Sequence, residues 1–185
     1  DVPQRWYRLK ARVLGVDRGS LKHAESDHPD DRLGQVLYRN GMLSKAQLDA
    51  ILHLGMRTPD HGKLFPWRFV TIGDRDAFAA LLEKAFVTAN PDARPVQIEA
   101  AIAPAHFAPT LVLLLYAPQE SPKIPLWEQQ MSVGAVGMNL LHAAHAHGFV
   151  ASWITGWASY DPVVRNAICQ GEEQIAGLFY IGTAG

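Results

Sequence analysis

The residues best suited to do chemistry lie in one stretch, Arg57-Thr58-Pro59-Asp60-His61-Gly62-Lys63-Leu64-Phe65-Pro66-Trp67. It sets an arginine, a histidine and a lysine among two prolines and a glycine, between a helix end and a strand. Loops of this kind on a rigid scaffold tend to hold ligands. Arg57 is suited to clamp a phosphate or the carbonyl edge of a ring through its planar fork of donors, and Lys63 to do the same as a point charge. The plainer reading of the same residues is a helix-end cap and a proline-stiffened turn.

Other candidates are weaker. His142, His145 and His147 suggest a metal at first sight. On a helix the first two share a face, but the third lies well round the cylinder and no carboxylate is near in sequence. They read as buried or interface histidines with hydrogen-bond partners, and no metal site is expected. Cys169 is the single cysteine, which excludes an intramolecular disulfide and a Cys-rich zinc site. No convincing Ser/His/Asp set is present.

The elements that must position these groups follow from pattern. The chain has 185 residues, 48% hydrophobic and 19% charged, which suits one folded domain. A formal net charge of −1 gives no global attraction to nucleic acid or to an anionic membrane. One cysteine and no apparent signal peptide favour a reducing compartment, the cytoplasm, although the sequence begins with Asp and an upstream targeting segment stays open. No Asp, Glu, Lys or Arg occurs between Glu128 and Asp161. Because Gln129, Gln130, Asn139 and the three histidines interrupt that run, it reads as a buried helix and a strand, and not as a membrane span.

Residues 1–31 are polar and read as an N-terminal extension, in which Trp6 to Val16 suits a basic amphipathic helix. The domain proper is expected over 32–185. Ser44-Lys45-Ala46-Gln47 is a capping box for a helix running to about Gly55 or Met56. Arg68 to Ile72 reads as a strand, and Asp74 caps a helix carrying Ala77, Phe78, Leu81, Leu82 and Ala85. A helix over about 95–106 precedes Thr110–Tyr116, an apolar run that suits a strand covered on both faces. Trp127 to His147 is a long uncharged helix ended by Gly148. Phe149 to Ile154 is a strand, Asp161-Pro162 starts a short helix, and Leu178 to Ile181 is the last strand. Four buried strands separated by helices imply a three-layer α/β/α domain. The long helix is apolar nearly all round and needs cover on every face. A twofold dimer seam supplies that cover; a central core helix in a monomer is the alternative.

With these blocks in place the sequence resembles the nitroreductase family, in particular its small single-domain NAD(P)H members. The resemblance rests first on Gly55-Met56-Arg57-Thr58-Pro59-Asp60-His61-Gly62 followed by Pro66-Trp67-Arg68-Phe69. There Thr58 replaces the family's alanine and Phe65 its glutamine. A second block is Ile124-Pro125-Leu126-Trp127-Glu128-Gln129-Gln130-Met131-Ser132. A third is Gly148-Phe149 leading to Trp153 and Gly156, and the closing Gly177 to Thr183 matches the family's last core strand. Coverage is about residues 32 to 183.

The resemblance implies an α+β fold with a central mixed or antiparallel four-strand sheet, and a homodimer with FMN at the subunit interface. It places the start of a phosphate-binding Arg-Arg-Ser element on Arg32, with Leu33 and Gly34 departing from it; Gly34 keeps a backbone N–H. It places further flavin contacts on Arg57, His61, Trp153, Ile154 and Thr155, and a nicotinamide-nucleotide stretch on Ala143, Ala144, His145, Ala146, His147 and Gly148. The implied reaction passes a hydride from NADH or NADPH through flavin N5 to a small electrophilic acceptor, nitroaromatic or quinone-like, in ping-pong order. The rival reading is a flavin-binding or flavin-free interaction module without efficient reductase activity. It draws on the altered Arg32-Leu33-Gly34 element, on Phe65, and on a chain that stops at Gly185.

Overall fold

The computed structural model describes residues 43–183. The extension 1–31 and the expected contacts Arg32 and Gly34 lie outside them. Helix α1 (Lys45–Gly55) starts at the capping box: Ser44 Oγ accepts from Gln47 N, and Gln47 Oε1 accepts from Ser44 N at 2.9 Å. These bonds satisfy N–H groups that a helix start otherwise leaves open. Then come β1 (Trp67–Thr71), α2 (Arg75–Ala89), α3 (Pro95–Ile102), β2 (Thr110–Tyr116) and α4 (Leu126–Ala146). The chain closes with β3 (Val150–Ile154), α5 (Trp157–Tyr160), α6 (Pro162–Ile168) and β4 (Gln174–Gly182). Asp74 caps α2 through Ala77 N, and Asp161 caps α6 through Val163 N and Val164 N, both as expected.

The four strands pair in the order β1-β2-β4-β3, every pair antiparallel. Strand β2 is central and buried at all seven positions. Its side chains alternate between two cores. Val112, Leu114 and Tyr116 join α1 and α4 on one face; Leu111, Leu113 and Leu115 join α2, α5 and α6 on the other. The result is the three-layer α+β arrangement anticipated from the pattern.

Three details depart from the sequence reading. The helix expected over 95–106 splits into α3 and a 3₁₀ turn, Ala103–His106, because Pro104 has no N–H to continue the ladder. The turn of helix α5 was not anticipated. Strand β4 begins four residues before Leu178, at Gln174. Its pairing shifts between Leu114↔Gly177 and Leu115↔Ile175, leaving Ala176 as a bulge residue. The bulge sends Ile175 to the α2 face while Gly177, Phe179 and Ile181 face α4.

Helix α4 is buried on one side only. Val133, Val136, Leu140, Ala143 and Ala144 fill the core, whereas Trp127, Met131 and Met138 are 62%, 68% and 45% exposed. His142, His145 and His147 are exposed too, so of the two expected placements, buried or interface, the buried one does not hold within this chain. They fall on the wet side because apolar residues occupy the arc that meets the sheet. No described helix is long and apolar enough to cross a membrane.

Candidate functional site

The loop after α1 is fixed to α4 at two points. Thr58 is buried; its hydroxyl donates to Gly55 O at 2.8 Å and accepts from Asn139 Nδ2 at 2.7 Å. The Thr58 hydroxyl thus closes the helix end and ties it sideways. Further on, His61 Nδ1 lies 2.6 Å from Glu128 Oε2. Between the anchors Asp60 Oδ2 accepts from Phe65 N at 2.7 Å, folding the loop back on itself. The fold-back requires left-handed backbone at Gly62 (φ 75°), Lys63 (φ 55°) and Phe65 (φ 50°). The last two are strained for residues with a Cβ. A Cβ on Gly62 would share that strain and would also displace the Ile124 Cδ1 methyl.

With the backbone held this way, Arg57 and Lys63 are exposed, and neither side chain has a partner among the described residues. His61 is 65% exposed, and its Nε2 is likewise unpartnered there. The loop therefore offers an open guanidinium, an open ring nitrogen and an open ammonium within seven residues of chain. Phe65 turns the other way, packing edge-on against Trp67 with ring centroids 5.5 Å apart.

The far end of β3 carries the second group of expected contacts. Ile154, Thr155 and Gly156 are exposed. Trp153 is not: its ring stacks on Phe179 at 5.2 Å, and its Nε1 donates to the bulge carbonyl of Ala176 at 3.2 Å. The indole is a partly buried packing element, held on its face and at its nitrogen. Ala143 and Ala144 are in the core, leaving His145 to Gly148 as the exposed part of the nucleotide stretch. The α4 carbonyls there are already capped, Ala144 O by Phe149 N at 2.9 Å and His145 O by Gly148 N at 3.0 Å. A helix C-terminus also carries partial negative charge, which disfavours a phosphate.

Helix geometry relates the two groups. At ~100° per residue, Glu128 and Asn139 lie within ~20° of each other, so both anchors share one line along α4, roughly 16 Å apart. A Cβ on Gly137 would meet Trp153 Cζ3 at 2.7 Å, so β3 packs ~180° round from that line. Trp127, Met131 and Met138 fall between, about 60–100° from the loop line. An apolar exposed stripe therefore separates the Arg57 loop from the β3 end.

Sequence reasoning did not assign Glu128, Gln129 or Asn139. Gln129 is buried, accepting from Gln119 N at 2.9 Å and donating to Gln119 O at 2.8 Å, and so fixes the approach to α4. One signal was available: Glu128 is the last charged residue before the uncharged run. Its partner 67 positions away was not legible from local pattern.

Behind the sheet, Arg68 donates from Nε to Glu173 Oε1 and from Nη2 to Ile168 O, each at 2.8 Å, and Nη2 also reaches Glu173 Oε2. Cys169 adjoins this cluster. Burial, then the Glu173 carboxylate, push its thiol above the ordinary value of about 8.5. Cys169 is expected to stay protonated at neutral pH and to react with iodoacetamide at least tenfold slower in the folded chain than in urea. Since the folded state holds this proton more tightly, its stabilising share is present at neutral pH and is lost as pH rises above the ordinary thiol range. Among the described residues no group of three or more His, Cys, Asp or Glu is placed to hold a metal ion.

Comparison with known proteins agrees with this architecture. The sequence model of the nitroreductase family matches residues 37–183. Over 140 residues the chain is 39% identical to "Putative NAD(P)H nitroreductase YdjA" of Escherichia coli (strain K12), covering 74% of this chain and 75% of that one. Among solved structures, the nitroreductase-like family protein from Bacillus cereus superposes with a TM-score of 0.66 at 19% identity, covering 81% of this chain and 80% of the other. A nitroreductase with bound FMN from Bacteroides fragilis gives 0.58 at 22% identity, with 81% and 82% covered. The chain belongs to the nitroreductase family.

Proposed function

We propose that this protein is an FMN-dependent oxidoreductase that takes reducing equivalents from NADH or NADPH and delivers them to a small electrophilic acceptor, nitroaromatic or quinone-like, in ping-pong order. The observation that carries this reading is the loop: Arg57, His61 and Lys63 present open polar groups from a backbone strained into shape and pinned twice to α4. That donor set fits a flavin phosphate or the carbonyl-rich pyrimidine edge. Arg57 would hold that edge, where negative charge gathers on reduction, with His61 beside it. The exposed residues Ile154 and Thr155, with Trp153 before them, would meet the ring system, and Arg32 and Gly34 are carried forward for the phosphate. When bound, FMN supplies a two-electron carrier between donor and acceptor. The exposed turn His145 to Gly148 is retained for the nucleotide end of NAD(P)H, against the polarity noted above.

The working unit in this reading is a homodimer. The Arg57 loop and the β3 end flank the exposed stripe of α4 on opposite sides, and two copies seated on the stripe would bring the loop of one near the β3 end of the other. Trp127, Met131 and Met138 supply the apolar surface for that contact. The cytoplasm, where reduced nicotinamide nucleotides are supplied, completes the reading.

The test is purification followed by a flavin spectrum, mass identification of any released cofactor, and sedimentation. Yellow protein bleached by NADPH and sedimenting as a dimer supports the reading. Colour without bleaching favours a flavin carrier. A colourless monomer, even after soaking with excess FMN, overturns it. Arg57→Ala is expected to raise the FMN dissociation constant roughly ten- to hundredfold, the equivalent of one charge-assisted hydrogen bond. Fluorescence titration measures this, and unchanged retention together with unchanged reduction rate removes Arg57 from the site.

A further inference from the structure

Glu128 belongs to no expected contact set, yet it makes the long-range bond that holds the free end of the cationic loop. Its Oε2 lies 2.6 Å from His61 Nδ1 across 67 residues. A carboxylate only accepts, so Nδ1 must carry the proton. A neutral imidazole held this way presents Nε2 as an acceptor, and a charged one presents it as a second donor; in both, ring orientation is fixed. The loop needs such a hold. Thr58 is anchored through Asn139, but beyond it the chain passes through three left-handed residues before the next strand begins. Only Asp60, within the loop itself, and Glu128, outside it, offer carboxylates to this segment among the described contacts. Glu128 is 31% exposed at its side chain, deep enough to be directional and open enough to avoid a large desolvation cost.

From this geometry we infer that Glu128 is a positioning residue: through His61 Nδ1 it sets the tautomer and orientation of the ring, and so where Nε2 meets the bound cofactor. The inference rests on the FMN reading for its effect on binding, but not for its effect on the ring. It assigns a task to the second family block, Trp127-Glu128-Gln129. Gln129 fixes the approach to α4, and Glu128 uses the fixed helix start to aim a residue of the first block.

The experiment compares wild type, Glu128→Ala and Glu128→Gln by nitrogen NMR of His61, FMN titration and thermal unfolding. The spectra are recorded as a pH series, and the variants are compared where the nitrogen shifts show the neutral ring. Wild type should show the proton on Nδ1, and Glu128→Ala should return it to Nε2, the tautomer favoured in water. The alanine variant should bind FMN about tenfold more weakly, with the unfolding midpoint nearly unmoved. Glu128→Gln keeps an acceptor oxygen, so it should restore the Nδ1 tautomer and bring FMN affinity to within about threefold of wild type. An unchanged tautomer in Glu128→Ala overturns the inference whether or not FMN binds. Wild-type affinity in Glu128→Ala also overturns it. If wild type fails to bind FMN, the cofactor reading falls, and the tautomer comparison still decides the role of Glu128.

Discussion

Replacing Gly177 with alanine is expected to lower stability by about 3 kcal/mol, the upper part of the range for overpacking a close-packed core. A Cβ at this position would land inside the Trp153 indole, against Nε1 and Cδ1. The ring is held on three sides. Phe179 stacks on its face, Gly137 on α4 lies against its edge, and Nε1 is tied to the Ala176 carbonyl. Gly177 and Gly137 are thus two bare walls of one slot, and the indole is the wedge that joins α4 to the sheet. Trp153→Leu alone should also destabilise, by lost burial and a residual cavity. Combined with Gly177→Ala it should cost less than the sum of the two, because the smaller side chain vacates the space that the new methyl needs. Urea unfolding of the four proteins gives the coupling, expected to exceed about 1 kcal/mol. Additive effects would show that the slot yields by backbone movement and that the wedge is not rigid.

The second large effect concerns Arg68 and Glu173. Their side chains are 9% and 11% exposed, and the carboxylate receives the guanidinium through both oxygens while also accepting from Gln170 N at 2.7 Å. Glu173→Ala leaves a guanidinium buried without its counter-charge, and should cost about 3–5 kcal/mol. For a domain of this size that corresponds to a fall in the unfolding midpoint of roughly 6–20 °C. Arg68→Met with Glu173→Leu removes both charges and should recover most of the loss. Calorimetry distinguishes the cases. If the double variant is no better than Glu173→Ala, the hydrogen bonds to Ile168 O and Gln170 N, and not the charge pair, are what hold β1 to the loop after α6.

Much of the scaffold was legible from sequence, for identifiable reasons. Ser44, Asp74 and Asp161 satisfy backbone donors within three residues, so short spacing is enough to find them. Thr110–Tyr116 is apolar throughout because both faces of β2 are covered. The early start of β4 was not visible, because Gly177 reads as a strand boundary until the indole that requires it is known. The same separation in sequence governs the site. Arg57 and His61 stood out by residue type, whereas Glu128 and Asn139 act only through contacts across 67 and 81 positions. Trp153 stood out through its motif, whereas its packing on Phe179 and its bond to the Ala176 carbonyl appear only in the fold.

The left-handed backbone at Lys63 and Phe65 has a bearing on how such a protein would respond to directed evolution. A glycine at either position would relax the chain at once, so a library selected by heat alone should accumulate changes there early. Selection by turnover should reject the same changes, because relaxed segments sample many shapes and the proposed cofactor contacts need one. The two regimes would diverge first at these residues, well before they disagree about the sheet.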